Sequence, residues 1–201
     1  MNTDFIIFKF IGFKQVKMYK NLITERLILK PAEVGFADML LAYHIRNKDF
    51  LQPWTPKRKE EFFTLSHQKN LLSNRVGLMN FGLELRLYVF KKGEEQKIIG
   101  DIGFSNIVKG AFQSCFLGYA LDKDNINQGI MEEALKAVIP YFFETFQLHR
   151  IEANVLPRNG ASIRLLEKLG FEYEGKAKKY FQINGIWEDH LHYALLNEAV
   201  E

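Results

Sequence analysis

The sequence predicts one mixed α/β domain built around a mostly antiparallel sheet. Its length of 201 residues corresponds to one domain at about 150 residues per domain. Hydrophobic residues make up 47% and charged residues 25%, a globular composition that excludes collagen-like and disordered chains. Apolar residues alternate at a period of two in most segments, and helical periodicity is confined to a few segments between them.

The regular pattern begins with one strand and two helices. Leu27 and Leu29 recur at strand spacing, and Pro31 ends that strand. Helical patterns then cover about residues 36–46 and 59–72. An aromatic and proline-rich loop separates the two helices.

Three closely spaced strands follow, and they predict an antiparallel meander. Gly93 and Gly110, each after a lysine, mark the turns that join them. Such short connections favour antiparallel pairing of neighbouring strands. We place the strands near Phe81–Phe90, Ile98–Val108 and Phe112–Leu121.

A long helix comes next and begins at Gly129. Its apolar residues recur at helical spacing and form one stripe that faces the sheet. They are Met131, Ala134, Leu135, Val138 and Phe142. Pro140 lies inside this pattern and is expected to kink or shorten the last turns.

The chain ends with a strand, a helix and a hairpin. The strand covers Ile151–Val155, and the helix begins near Asn159 and is capped by Gly170. Asn184-Gly185 is a typical two-residue hairpin turn. It joins the last two strands, Phe171–Tyr180 and Ile186–Leu195.

Charge and cysteine content restrict the compartment and the partners. Residues 1–20 form an N-terminal extension of unknown role before a domain at 21–197, and Met18 is an alternative start. The extension holds the whole net charge of +3, and the rest balances 23 basic with 23 acidic groups. We therefore expect neither a nucleic-acid nor a membrane partner. Cys115 is the only cysteine and cannot form an internal disulfide, which favours the cytoplasm.

Two helix starts are candidate binding sites. Gly129 follows a strand and a loop, so the unpaired amides and the positive dipole end of its helix could bind phosphate. Asn159 opens the next helix, and Ser162 places a hydroxyl in its first turn. Simple helix capping explains both starts equally well from the residues alone.

Eight segments carry a resemblance to a known family. They are Thr24–Leu27, Asn47–Trp54, Phe104–Val108, Cys115–Tyr119, Gln128–Leu135, His149–Asn154, Leu166–Glu172 and Lys179–His190. The chain resembles the GCN5-related N-acetyltransferases, and within them the ribosomal-protein-alanine N-acetyltransferases of the RimJ and RimL type, closest to RimJ. The resemblance covers about residues 24–196.

This resemblance implies a fold and a cofactor site. The sheet would have about six to seven strands flanked by helices and would splay between the fourth and fifth strands, with acetyl-CoA in the gap. Backbone groups of Leu117, Tyr119 and Leu121 would bind the pantetheine. Asn159 would hold the cofactor arm, and Ser162 would assist the departing thiolate. The pyrophosphate would lie on the amides of Asn127, Gln128, Gly129, Ile130 and Met131.

Two departures from the family pattern affect the chemistry. The family's phosphate loop reads Gln/Arg-x-x-Gly-x-Gly/Ala, where this chain has Asp124 first and Asn127 at the first glycine. Lys109 stands where RimL-type relatives have a carboxylate base. An α-amine of pKa about 7.7–8.0 needs less help from a base than a lysine of pKa about 10.4. A protein N-terminus is therefore favoured over a lysine acceptor.

We therefore expect a cytoplasmic acetyltransferase, monomeric or homodimeric, that acetylates the N-terminal α-amine of a ribosomal protein. A small amine, such as a polyamine or an antibiotic, is the alternative acceptor. A CoA-binding interaction module without turnover is the alternative of a different class. His190 and His192 lack further ligands for a metal, so none is expected, and Cys115 is expected to be a packed core thiol.

Overall fold

The computed structural model describes residues 19–200. The predicted extension, residues 1–20, lies outside this range except for its last two residues. Met18, the alternative start, lies outside it as well. The strands are β1 (Leu22–Ile23), β2 (Leu27–Pro31), β3 (Leu85–Lys91), β4 (Gly100–Val108), β5 (Ser114–Leu121), β6 (Arg150–Val155), β7 (Glu172–Ile183) and β8 (Ile186–Leu196). The α-helices are α1 (Ala37–Arg46), α2 (Lys48–Leu51), α3 (Leu65–Asn80), α4 (Ile130–Phe146) and α5 (Gly160–Lys168). Within the described part, no helix has the length and hydropathy needed to cross a bilayer.

The eight strands form one mixed sheet in the order β1-β2-β3-β4-β5-β6-β8-β7. All neighbouring pairs are antiparallel except β5 and β6, which run parallel. The predicted mixed, mostly antiparallel sheet is confirmed. It has one strand more than the expected six to seven, because β1 contains only two residues and is too short to show a period in the sequence.

Helix α4 packs its predicted apolar stripe into the core. All five predicted positions are at most 6% exposed. The Phe142 ring stacks on Phe104 of β4 at 3.9 Å between centroids. Pro140 does not shorten the helix, which continues to Phe146. Pro140 itself is exposed, whereas Phe142 and Phe146 are buried, so apolar packing holds the turns after the proline in place.

Helix α3 begins later and runs further than the predicted range of 59–72. The side chain of Thr64 caps its first turn by accepting a hydrogen bond from the amide of His67 at 3.3 Å. Glu60–Phe63, which the prediction included, form a 3₁₀ turn before this cap. The helical pattern was correctly located, but both bounds were wrong: the cap at Thr64 sets the start, and the helix continues to Asn80.

Candidate active site

The sheet opens where β5 and β6 diverge. They pair only between Ser114–Phe116 and Arg150–Glu152. From Leu117 onward, β5 pairs with β4 alone, and β6 continues to Val155 beside β8. The gap contains a cavity of about 710 Å³, a size typical of ligand sites, which we call the wedge cavity. The predicted splay is thereby confirmed, because the fourth and fifth strands of the prediction are β5 and β6 of the structure.

One wall of the wedge cavity is the free edge of β5. Leu117, Tyr119 and Leu121 line the cavity on this side. An unpaired strand edge presents alternating N–H and C=O groups, which can bind an extended amide-containing ligand. Burial raises the pKa of Tyr119 to about 12, so its hydroxyl stays neutral and donates to the Ser162 carbonyl at 3.4 Å.

A second wall is the start of α4. Asn127 and Gly129 have φ values of +57° and +71°, in the left-handed region that asparagine and glycine tolerate best. With Ile130 and Met131 they line the cavity beside the first amides of the helix. Gln128 does not line it, and its side chain donates to the Asp124 carbonyl at 3.0 Å. A role for Gln128 in binding is thus limited to its backbone.

Arg26 lies beside this loop and was not predicted from the sequence. Its Nη1 donates to the Gln128 carbonyl at 3.0 Å, and its Nε pairs with Glu133 at 2.6 Å. Its Nη2 would lie 3.6 Å from a Cβ at Gly129. Asp124, the residue of opposite charge to the family pattern, pairs with Lys123 at 2.8 Å. The loop therefore gains a cation from a segment 102 residues away in sequence.

Replacing this cation is expected to weaken the binding of a phosphate-bearing ligand. Arg26→Gln should raise the Kd for CoA roughly tenfold, because a charged hydrogen-bond donor is lost beside the phosphate loop. The difference from wild type should shrink at high salt, since Arg26 is half-exposed and screened. Isothermal titration calorimetry at two salt concentrations measures both effects.

Lys69→Gln is the matched control for this variant. It removes one positive charge from an exposed position on α3, outside the lining of the wedge cavity. It should leave the affinity for CoA unchanged. An equal loss of affinity in both variants would show that net charge matters and that the position of Arg26 does not.

A third wall is the start of α5. The Oδ1 of Asn159 accepts a hydrogen bond from the Ser162 amide at 3.2 Å, which confirms the capping interpretation of this asparagine. Both residues also line the wedge cavity. Within residues 19–200 the Ser162 hydroxyl makes no hydrogen bond, so it is free to meet a ligand.

A second cavity of about 510 Å³, which we call the side cavity, adjoins the first. Both are lined by Gly118, Tyr119 and Ala120 of β5 and by Leu51 and Thr55. The two cavities therefore meet at the middle of the free β5 edge. No local pattern in the sequence predicts the side cavity, because its walls come from α1, α3, β3 and β4 as well as β5.

Two polar side chains of α1 line the side cavity without a partner. The Tyr43 hydroxyl and the His44 Nε2 are buried and make no hydrogen bond within residues 19–200. Burial raises the pKa of Tyr43 and lowers the pKa of His44 to about 4, although the charge of Asp101 opposes the second shift. Both groups are neutral at pH 7 and can exchange hydrogen bonds with a bound molecule.

The remaining chemically active side chains suggest no further site. Among residues 19–200, no group of three or more His, Cys, Asp or Glu is arranged to hold a metal ion. His190 is buried, and its Nδ1 lies 3.1 Å from the Glu188 carbonyl oxygen. Cys115 is 1% exposed, and burial raises its pKa well above the usual range. It is a packed core thiol, as predicted.

A family profile described as the acetyltransferase (GNAT) domain matches residues 26–172. The chain belongs to the GNAT acetyltransferases. The match contains the divergent ends of β5 and β6 and the starts of α4 and α5. The resemblance predicted from the sequence is confirmed, and the chain is an N-acetyltransferase of this family.

Individual proteins similar to this GNAT enzyme include acetyltransferases of ribosomal proteins. A [ribosomal protein uS5]-alanine N-acetyltransferase of Escherichia coli is 40% identical over 187 residues, which cover 92% of this chain and 94% of the relative. The crystal structure of the ribosomal-protein-S5-alanine acetyltransferase of Vibrio fischeri superimposes on this chain with a TM-score of 0.87 at 37% identity. The superposition covers 91% of this chain and 100% of the Vibrio fischeri chain. Mycobacterium smegmatis RimJ in complex with CoA-disulfide gives a TM-score of 0.80 at 28% identity and covers 87% and 83%.

Proposed function

We propose that this GNAT enzyme transfers acetyl from acetyl-CoA directly to the N-terminal α-amine of a ribosomal protein in the cytoplasm. The observation that carries the proposal is the meeting of two cavities at Gly118–Ala120 of β5. One cavity can hold each substrate, so that the amine and the thioester meet at the strand without a covalent enzyme intermediate. The name of the Escherichia coli relative supports the ribosomal acceptor.

The residues of the wedge cavity fit acetyl-CoA. The first amides of α4 provide positive charge for the pyrophosphate at one end, and the Arg26 guanidinium, which also pairs with Glu133, lies beside them. The free edge of β5 provides backbone partners for the amide groups of the pantetheine arm. Asn159, whose Oδ1 caps α5, keeps its Nδ2 group available for the same arm.

The chain's own groups provide the chemistry that acetyl transfer needs. Backbone amides at the free edge of β5 donate to the thioester carbonyl and stabilise the negative charge that develops on it. Ser162 donates a hydrogen bond or proton to the departing thiolate. No strong base is required, because about a tenth to a sixth of an α-amine with pKa 7.7–8.0 is already neutral at pH 7.

Peptide acetylation by the purified enzyme tests this function. A synthetic peptide that begins with Ala should be acetylated on its α-amine, while the same peptide with a blocked α-amine and a free lysine should remain unmodified. Mass spectrometry of the product locates the acetyl group. Binding of CoA without turnover would favour a CoA-binding interaction module. Turnover of small amines alone would favour a small-amine acetyltransferase.

The ribosomal acceptor has its own test in cells. Deletion of the gene should remove the acetyl group from the N-terminus of one ribosomal protein, as measured by intact-protein mass spectrometry of purified ribosomes. Re-expression of the wild-type chain should restore the acetyl group. Unchanged N-termini in the deletion strain would contradict the ribosomal assignment.

A further inference from the structure

The side cavity has an excess of positive charge. Five of its lining residues are basic and three are acidic, and His44 is neutral. The basic residues are Lys48, Lys57, Arg58, Arg75 and Arg86, and the acidic residues are Asp49, Glu60 and Asp101. A cavity that received only an ammonium group would be expected to have the opposite balance, because like charges repel in a partly buried site.

The cations of this cavity are not equivalent. Arg86 is neutralised by Glu84 at 2.9 Å and by Asp101 at 2.7 Å. Arg75 donates to the hydroxyl of Tyr88, an uncharged partner. The Cζ of Arg58 lies 4.5 Å from the centre of the Phe62 ring. In the described part of the chain, neither Arg58 nor Arg75 pairs with a carboxylate.

The two arginines without carboxylate partners lie close enough to affect each other. Burial lowers the pKa of Arg58 and the positive charge of Arg75 lowers it further, while the negative charge of Asp101 opposes both effects. Burial is the largest cause of the lowered pKa of His44, and the positive charge of Arg75 adds to it. Two guanidiniums without a direct carboxylate partner, beside unpartnered polar groups in one cavity, form a site with the chemistry that binds a carboxylate.

We propose that the acceptor protein has an Asp or Glu within its first few residues and that Arg58 and Arg75 bind this carboxylate in the side cavity. The inference rests on the proposed function, because it assigns the side cavity to the acceptor. A cavity of about 510 Å³ has room for a short N-terminal segment. A polyamine would be repelled, since it is cationic along its whole length.

Matched peptides test the selection directly. We choose C-terminally amidated peptides that begin with Ala and carry Glu or Gln at position two, three or four, so that one side chain provides the only carboxylate. At one of these positions the wild-type enzyme should prefer Glu to Gln by about 10- to 100-fold in kcat/KM. Arg75→Gln and Arg58→Gln should each reduce this preference to about threefold or less.

Lys69→Gln provides the control, and circular dichroism tests folding. Lys69 is exposed on α3, the helix that also carries Arg75, and lies outside the cavity lining, so its loss should leave the Glu preference intact. Arg58 makes no polar contact within the described part, so its variant keeps the test valid if Arg75→Gln does not fold.

The outcomes separate the two proposals. Equal rates for Glu and Gln peptides, or efficient acetylation of spermidine, would overturn the carboxylate inference while leaving acetyl transfer intact. A Glu preference that survives in both arginine variants would show that Arg58 and Arg75 do not bind the carboxylate. Tight CoA binding with no acetylation of any peptide would defeat the proposed function and, with it, this inference.

Discussion

Gly129→Glu is expected to abolish CoA binding, with a loss of at least about 100-fold in affinity. The new side chain would enter a position with φ of +71°, which costs a non-glycine residue about 1–3 kcal/mol. Its carboxylate would lie at the first amides of α4 and next to Arg26, whose Nη2 would be 3.6 Å from the new Cβ. It would therefore occupy the donors that the pyrophosphate needs and would repel the phosphates. Isothermal titration calorimetry with CoA measures the loss.

Two further variants separate the effects of strain, charge and position. Gly93→Glu introduces the same residue at a positive φ of +81° in an exposed turn between β3 and β4, with no atom within 4 Å of its Cβ. It should reduce stability without changing CoA affinity. Gly129→Ala adds the strain without the charge and should weaken binding about tenfold or less, since a Cβ there has room. CoA affinity in Gly129→Glu equal to wild type would remove the α4 start from the site.

Two helix starts of the candidate site were located in the sequence by a local signal, whereas Leu117, Tyr119 and Leu121 were assigned by the family resemblance. Gly129 and Asn159 each open a helix after a strand and a loop, and this strand-loop-helix pattern identifies such positions without reference to the rest of the chain. The five stripe residues of α4 follow from helical periodicity alone. Backbone conformation at Asn127 also follows a local rule, because asparagine is among the few residues that enter the left-handed region readily.

The parts that were missed depend on contacts between distant segments. Arg26 reaches the phosphate loop only because β2 and the start of α4 lie side by side, which no spacing in the sequence reveals. The side cavity brings together His44 of α1, Arg75 of α3 and Asp101 of β4. Within its own segment, each of these residues occupies a regular helix or strand position that carries no sign of a binding site. Their position around one cavity becomes visible only when the sheet order and helix packing are known.

Ser162→Ala is expected to lower turnover by about 10- to 1,000-fold while leaving CoA affinity near wild type. The alanine keeps the backbone contacts of this position, because Asn159 caps the Ser162 amide and Tyr119 donates to its carbonyl. The loss therefore reports on the hydroxyl, which lines the wedge cavity and has no partner in the described part of the chain. Steady-state release of free CoA thiol gives kcat, and calorimetry gives Kd.

Tyr119→Phe is the comparison that decides which hydroxyl assists the thiolate. Tyr119 lines both cavities, and its neutral hydroxyl lies 3.4 Å from the Ser162 carbonyl oxygen. If Ser162 is the donor, turnover falls strongly in Ser162→Ala. In Tyr119→Phe turnover falls little, because the variant lacks only the hydrogen bond to the Ser162 carbonyl. Ser73→Ala, which removes an exposed hydroxyl from α3, should match wild type. Full turnover in Ser162→Ala, with a large loss of kcat and an unchanged KM for the acceptor in Tyr119→Phe, would transfer the role to the tyrosine.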